Sequence, residues 1–223
     1  MIKLIIFDWD DVFTLGSTEG YYKCYHQALL SVGIHLSQKE EKKRIEAKWG
    51  SSHQEELAEL LKDSPELLAE AIVIYEEHLF GNSFVDCLTL VPGSIGVLKR
   101  LSRKYKIAIA TGASSKLLRE IIFPNFNIPQ VFSQIVTPHD LSSALYAKPH
   151  PEGINRILKE QNILPEETVM VGDAKNDVLM AQAAGVEAVV VLTGHLNTHE
   201  AEKLRVKHII ENVSALEDLL GKL

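Results

Sequence analysis

The sequence predicts an α/β fold: a parallel sheet with helices on both faces, interrupted after its first strand by a helical insertion. Three observations predict it. From about Val91 onward, short apolar runs rich in Val and Ile alternate with helical patterns: KIAIAT, SKLLREII, SQIVT, PEGINRILKEQN, ETVMVGD, NDVLMAQAAG and EAVVVL. These strand-like runs are continuously apolar rather than apolar at every other residue, as strands must be when helices bury both faces of a parallel sheet. The stretch from Thr14 to Leu90, by contrast, contains no convincing strand.

Taken in order, MIKLIIFDWDDVFT places an apolar strand, Ile2 to Phe7, directly before Asp8, Asp10 and Asp11. In the insertion, Tyr21, Tyr25, Ala28, Leu29 and Val32 share one helical face, and Leu68, Ala71, Ile72, Tyr75 and Leu79 share another. Gly33 and Pro65 stand where helices stop or start. QKEEKKRIEAK carries both signs of charge and reads as a solvated helix face. Residues 1–13 and 91–223 are thus expected to form the α/β core domain, and residues 14–90 a helical domain, with the return near Val91-Pro92-Gly93.

A chain of 223 residues, 46% hydrophobic and 24% charged, with mean hydropathy near zero, can bury a large core and reads as a soluble globular protein. Its net charge of −7 and scattered Lys and Arg residues argue against a nucleic-acid surface. Cys24 and Cys87 are too few for a disulfide framework and have no metal-ligand spacing around them, so both read as packing residues in a reducing interior. The apolar start is broken by Asp8, and no run approaches the roughly 18 residues of a membrane span. We therefore expect a cytoplasmic protein with no nucleic-acid or membrane partner; the oligomeric state is left open.

In an open parallel sheet, reactive groups gather at the carboxyl ends of the strands, where the strand order reverses. The first strand ends in Asp8-Trp9-Asp10, another in Thr111-Gly112-Ala113-Ser114, and a later one in Gly172-Asp173, with Asp177 four residues on. A loop between them carries Lys148-Pro149. Singly, each is ordinary: Asp173 could cap the helix starting near Ala174, Thr111 could be a β-branched strand residue, and Lys148 a solvated lysine. Jointly they bring acids, a hydroxyl and an amine to one edge, with Asp8 and Asp10 on the same side of an extended chain. Trp9, on the other side, reads as core, and Asp11 as a turn residue without catalytic role.

FDWDDVFT, AIATGASS, AKPHPEGI and VMVGDAKNDVLMAQAAG together resemble the four motifs of the haloacid dehalogenase-like phosphatase superfamily, in the branch that includes phosphoglycolate phosphatases and β-phosphoglucomutases. The resemblance covers the core and, more loosely, the insertion, which is similar to that branch's helical cap; it implies a Rossmann-like core. Asp11 stands where the family usually has glycine, and Leu15-Gly16 replaces the usual acidic residue shortly before Ser17. The resemblance implies Mg²⁺-dependent hydrolysis of a small phosphorylated metabolite through an aspartyl-phosphate. Asp8 would be the nucleophile, and Asp10 the donor of a proton to the leaving oxygen and then the base for water. Mg²⁺ would sit on Asp8, Asp173 and the backbone carbonyl of Asp10. Thr111 and the Gly112 amide would hold phosphoryl oxygens, Lys148 would balance their charge, and Asp177 would hold Lys148 or a water on the metal.

Three alternatives stay in view. A dehalogenase shares the nucleophilic aspartate but has no use for Asp10 or for the Gly172-Asp173 to Asp177 constellation. Phosphomutases of this branch need a His in the first cap helix and an Arg in the cap loop; the equivalents here are Gly20 and Trp49-Gly50-Ser51-Ser52-His53, with no Arg, which favours a hydrolase. An inactive binding protein on the same fold would be expected to have lost Asp8, Asp10, Lys148 or Asp173, and none is lost. Trp49, Ser52 and His53, in a break between two helical patterns, are expected to help choose the leaving group. The substrate itself is left open.

Overall fold

The computed structural model describes residues 1–49 and 52–222; Gly50 and Ser51 of the expected specificity loop lie outside them. The strands among the described residues are β1 (Leu4–Phe7), β2 (Thr14–Leu15), β3 (Thr89–Leu90), β4 (Lys106–Ala110), β5 (Phe132–Val136), β6 (Thr168–Gly172), β7 (Glu187–Val191) and β8 (His208–Ile210). Six form a parallel sheet in the order β5-β4-β1-β6-β7-β8. β1 and β6 are buried throughout, as the unbroken apolar runs require. Phe7 lies in register with both Ile109 and Val171. The three central strands therefore end at nearly one level, and the residues that follow them, from Asp8, Thr111 and Asp173, share one edge. This is where the strand order turns, since chain order runs outward from β1 in both directions.

Alternation along the strands divides the core in two. On one face Leu4, Ile6, Ala108, Ala110, Met170 and Val190 cluster with Ile154 and Ile157 of helix Glu152–Gln161 and Val178 and Ala181 of helix Lys175–Ala183. On the other, Phe7 meets Phe13 edge-on at 4.9 Å, and Trp9 packs on Phe13 at 5.1 Å and Phe123 at 5.0 Å. Trp9 is fully buried, in keeping with its reading as core. Each such ring removes about 150–250 Å² from water.

Three local features differ from the sequence pattern. Residues 14–90 show no strand-like run, yet β2 and β3 pair antiparallel, Thr14 with Leu90 and Leu15 with Thr89; two residues are too few to carry an alternation. β8 is three residues long and half-buried, so it too lacks the continuous apolar signature. The SKLLREII stretch is helical, but Leu117–Ile122 winds as a wider π-type helix before Phe123–Asn125. Pro124 there has no N–H to give Glu120.

The chain forms two compact units, Met1–Leu15 with Thr89–Leu223, and Gly16–Leu88. The joints fall two residues inside 14 and 90 because the β2–β3 ribbon belongs to the sheet-bearing unit. The helical unit comprises Ser17–Ser31, Gln38–Glu46, His53–Leu60, Leu68–Phe80 and Asn82–Val85. Its centre is the stacked pair Tyr25 and Tyr75, with ring centroids 4.4 Å apart. Of the two faces read from the sequence, Tyr25, Ala28, Leu29, Ala71, Tyr75 and Leu79 are buried, and the remaining members are half-buried. In Gln38–Glu46, Ile45 and Glu41 are buried, and Glu41 lies 2.8 Å from His26 Nδ1. No helix among the described residues is long and apolar enough to cross a membrane.

Candidate active site

Sheet pairing fixes the first acid. The Asp8 N–H donates to the Val171 carbonyl at 2.9 Å, leaving its side chain just beyond the strand end. Lys148 Nζ stands 2.8 Å from Asp8 Oδ1 and 2.6 Å from Asp177 Oδ1. Asp177 lies in the first turn of helix Lys175–Ala183, and its Oδ2 accepts the Ala174 N–H at 3.1 Å. It therefore helps cap that helix while it holds Lys148. A Cβ at Gly172 would run into the Asp177 side chain, so the β6 end admits only glycine if Asp177 is to approach this closely.

Asp173 does not cap the helix as a lone strand-end acid would. Its Oδ2 accepts the His195 N–H at 3.0 Å, and its carbonyl accepts the Leu196 N–H at 2.9 Å. Gly194 passes so close that a Cβ there would collide with the Asp173 carboxylate. The Thr111 N–H donates to Val136, and Thr111 Oγ1 accepts the Ala113 N–H at 3.1 Å, which leaves the hydroxyl hydrogen to donate outward. Gly112 is exposed, with open space where a side chain would stand. Asp10 is half-buried and bridges to Thr14 through its backbone. Asp11 adopts a left-handed turn, φ 54°, and its carbonyl accepts the Thr193 hydroxyl.

The carboxylates of Asp8, Asp173 and Asp177 each offer an oxygen within 4.8 Å of the others, and all three are buried. Burial opposes charge on Lys148, but Asp177 and Asp8 outweigh it and hold the ammonium above the ordinary lysine range. Burial, then the like charges of Asp177 and Asp8, pushes the Asp173 carboxyl up to about 8, although the His195 N–H pulls the other way. Burial likewise raises Asp177, against the pull of Lys148. One ammonium among three buried acids leaves positive charge in deficit. An all-oxygen donor set of this kind fits a hard divalent cation such as Mg²⁺.

The three expected specificity residues have local roles in the helical unit. Ser52 is the N-cap of His53–Leu60, accepting the Glu55 N–H in a reciprocal capping box. His53 stacks on Tyr75 at 5.4 Å and meets Glu76 at 3.1 Å. Trp49 lies against Tyr22 and Tyr21, at 5.5 and 6.2 Å. Sequence reasoning passed over Thr193, Gly194 and His195. Gly194 and His195 meet Asp173 through the main chain and Thr193 meets Asp11 through its hydroxyl, and the sequence trace is a Thr-Gly-His just past the last strongly apolar strand.

Fold and site define a parallel α/β protein with a cluster of carboxylates and one lysine at the carboxyl edge of its sheet. The chain matches the haloacid dehalogenase-like hydrolase family over residues 2–185, and it belongs to that family. It is 28% identical to the glyceraldehyde 3-phosphate phosphatase of Methanothermobacter thermautotrophicus, over 99% of this chain and all of that protein. It is 31% identical to the pyrophosphatase PpaX of Oceanobacillus iheyensis, over 67% of this chain and 68% of that one. A crystal structure described as a predicted phosphoglycolate phosphatase from Haemophilus somnus superposes with a TM-score of 0.82 over 98% of both chains, at 20% identity.

Proposed function

We propose that the protein is a Mg²⁺-dependent phosphatase that hydrolyses a small phosphorylated metabolite through an aspartyl-phosphate on Asp8. The observation that carries this reading is the Asp8 carboxylate at the end of β1, 2.8 Å from Lys148 Nζ and grouped with Asp173 and Asp177. Asp8, Asp173 and the Asp10 carbonyl would hold Mg²⁺, which supplies the charge neutralisation that lets a carboxylate approach a phosphate. An Asp8 oxygen forms the new bond to phosphorus as the bond to the leaving oxygen breaks, and Asp10 gives that oxygen its proton. Water then attacks phosphorus, Asp10 takes the proton back, and inorganic phosphate leaves with Asp8 regenerated.

Lys148 orients Asp8 and balances its charge, and Asp177 fixes Lys148 in turn. The Thr111 hydroxyl and the Gly112 amide hold the transferring phosphoryl oxygens. The choice of leaving group is assigned to the helical unit, around Trp49, Ser52 and His53. The names of the relatives support a small phosphorylated substrate. The test is phosphate release from a panel of phosphorylated metabolites, with Mg²⁺ or with EDTA. Release confined to the Mg²⁺ arm is expected; full activity in EDTA, or no release from any ester, would overturn the proposal.

A further inference from the structure

Asp11 occupies a left-handed turn, a conformation that glycine adopts freely and that Asp is one of the few other residues to tolerate. An acid present only to make a turn belongs in solvent, yet Asp11 is 9% exposed. The carboxylates of Asp11 and Asp173 and the imidazole of His195 each place a ligand atom within 4.8 Å of the other two. They come from three segments, following β1, β6 and β7. The β7 loop is fastened to both acids: the Thr193 hydroxyl donates to the Asp11 carbonyl, and the His195 and Leu196 N–H groups donate to Asp173. The main chain thereby sets where the His195 side chain begins relative to the two carboxylates.

We propose that Asp11, Asp173 and His195 form a second cation position, which takes a divalent transition-metal ion such as Zn²⁺ and shares Asp173 with the acidic centre. One nitrogen and two carboxylate oxygens suit Zn²⁺, whereas Mg²⁺ keeps to oxygen and water. Zn–N and Zn–O bonds of about 2.0–2.2 Å put tetrahedral ligand atoms about 3.4 Å apart. The 4.8 Å ceiling therefore leaves at most about 1.4 Å to close, within reach of the exposed His195 side chain, and water completes the fourth position. Charge points the same way. Asp8, Asp11, Asp173 and Asp177 gather four buried carboxylates at this edge, a setting that favours cations. Because Asp173 serves both positions, a Zn²⁺ held there weakens the grip on Mg²⁺, and the reverse holds by linkage.

The experiment is calorimetric titration of the full chain with Zn²⁺ in excess Mg²⁺, on the parent, His195→Ala, Asp11→Asn and Asp8→Asn, joined to X-ray absorption at the zinc edge. His195→Ala keeps the backbone N–H that Asp173 accepts, and circular dichroism confirms that each variant is folded. We expect one bound Zn²⁺ with imidazole scattering in the parent, at least about tenfold weaker binding in His195→Ala and Asp11→Asn, and retention in Asp8→Asn. Absence of a bound Zn²⁺ in the parent, undiminished binding in His195→Ala, or loss in Asp8→Asn alone would overturn the proposal. The readout is binding rather than turnover, so its failure leaves the phosphatase proposal standing, and an inactive protein leaves this one standing.

Discussion

In the helical unit a buried acid meets a group of complementary character: Glu56 accepts the Tyr25 hydroxyl, and Glu41 faces His26. At the carboxyl edge of the sheet, Asp8, Asp173 and Asp177 face one another, with Lys148 the ammonium that touches Asp8 and Asp177. The first arrangement contents itself and serves packing. The second stores repulsion that a bound cation would relieve, and perturbed charges of that kind mark a candidate site rather than a core that happens to contain acids.

The contrast can be broken most sharply at Asp8. Asp8→Asn should reduce turnover by about 10⁴-fold or more while circular dichroism shows an intact fold, because the amide is a poor nucleophile; hydrolysis at the parent rate would mean another group attacks phosphorus. Asp10→Ala should cost about 10²–10⁴-fold on alkyl phosphates. It should cost less in the first step on p-nitrophenyl phosphate, whose leaving group needs no proton, giving a burst of p-nitrophenol and then slow turnover. Equal losses on both esters without a burst would give Asp10 a structural role instead.

Asp173 sharpens the contrast through stability. Its carboxyl, pushed up to about 8, binds a proton more tightly folded than unfolded, where Asp titrates near about 3.9. The stabilisation this gives is complete below the unfolded value and is lost as pH rises toward the folded one. In EDTA the Tm should therefore fall between about pH 5 and about pH 8, Mg²⁺ should restore it, and Asp173→Asn should flatten the slope while lowering turnover by at least about 10²-fold. A slope unchanged in that variant would place the titrating group elsewhere. The smallest effect belongs to the contented region. Burial holds the Tyr25 hydroxyl far above its ordinary range, so it is the donor to Glu56. Tyr25→Phe should cost about 1–3 kcal/mol, and Tm should fall by about 2–4 °C for each kcal/mol at every pH. A variant as stable as the parent would show that Glu56 needs no donor there.

The parallel sheet was legible because β1, β4, β6 and β7 are continuous apolar runs, and the acids at their ends stood out against them. β2 and β3 were not legible, because register with a distant partner, not composition, makes strands of Thr14–Leu15 and Thr89–Leu90. At the candidate site, Lys148 could be named, but its placement between Asp8 and Asp177 depends on a loop closing over two strand ends. Asp11 read as a turn, and it is one; that the turn buries its carboxylate beside Asp173 follows from the return of residues 193–196, which no local pattern announces. His195 escaped notice for the same reason, since its bond to Asp173 comes from a backbone N–H that any residue but proline would supply.

The β2–β3 ribbon has a consequence for how such chains diversify. Leu15 and Thr89 are cross-strand partners in an antiparallel pair, a geometry that a two-residue turn can close. Topologically, then, the whole of Gly16–Leu88 is the loop of a hairpin. Loop closure grows costlier only with the logarithm of length. Recombination at this ribbon could exchange one inserted unit for another, of any size whose ends meet, without moving a single register in the parallel sheet. The acidic edge of the sheet and the inserted unit can thus be inherited as separate cassettes, spliced at one pair of facing residues.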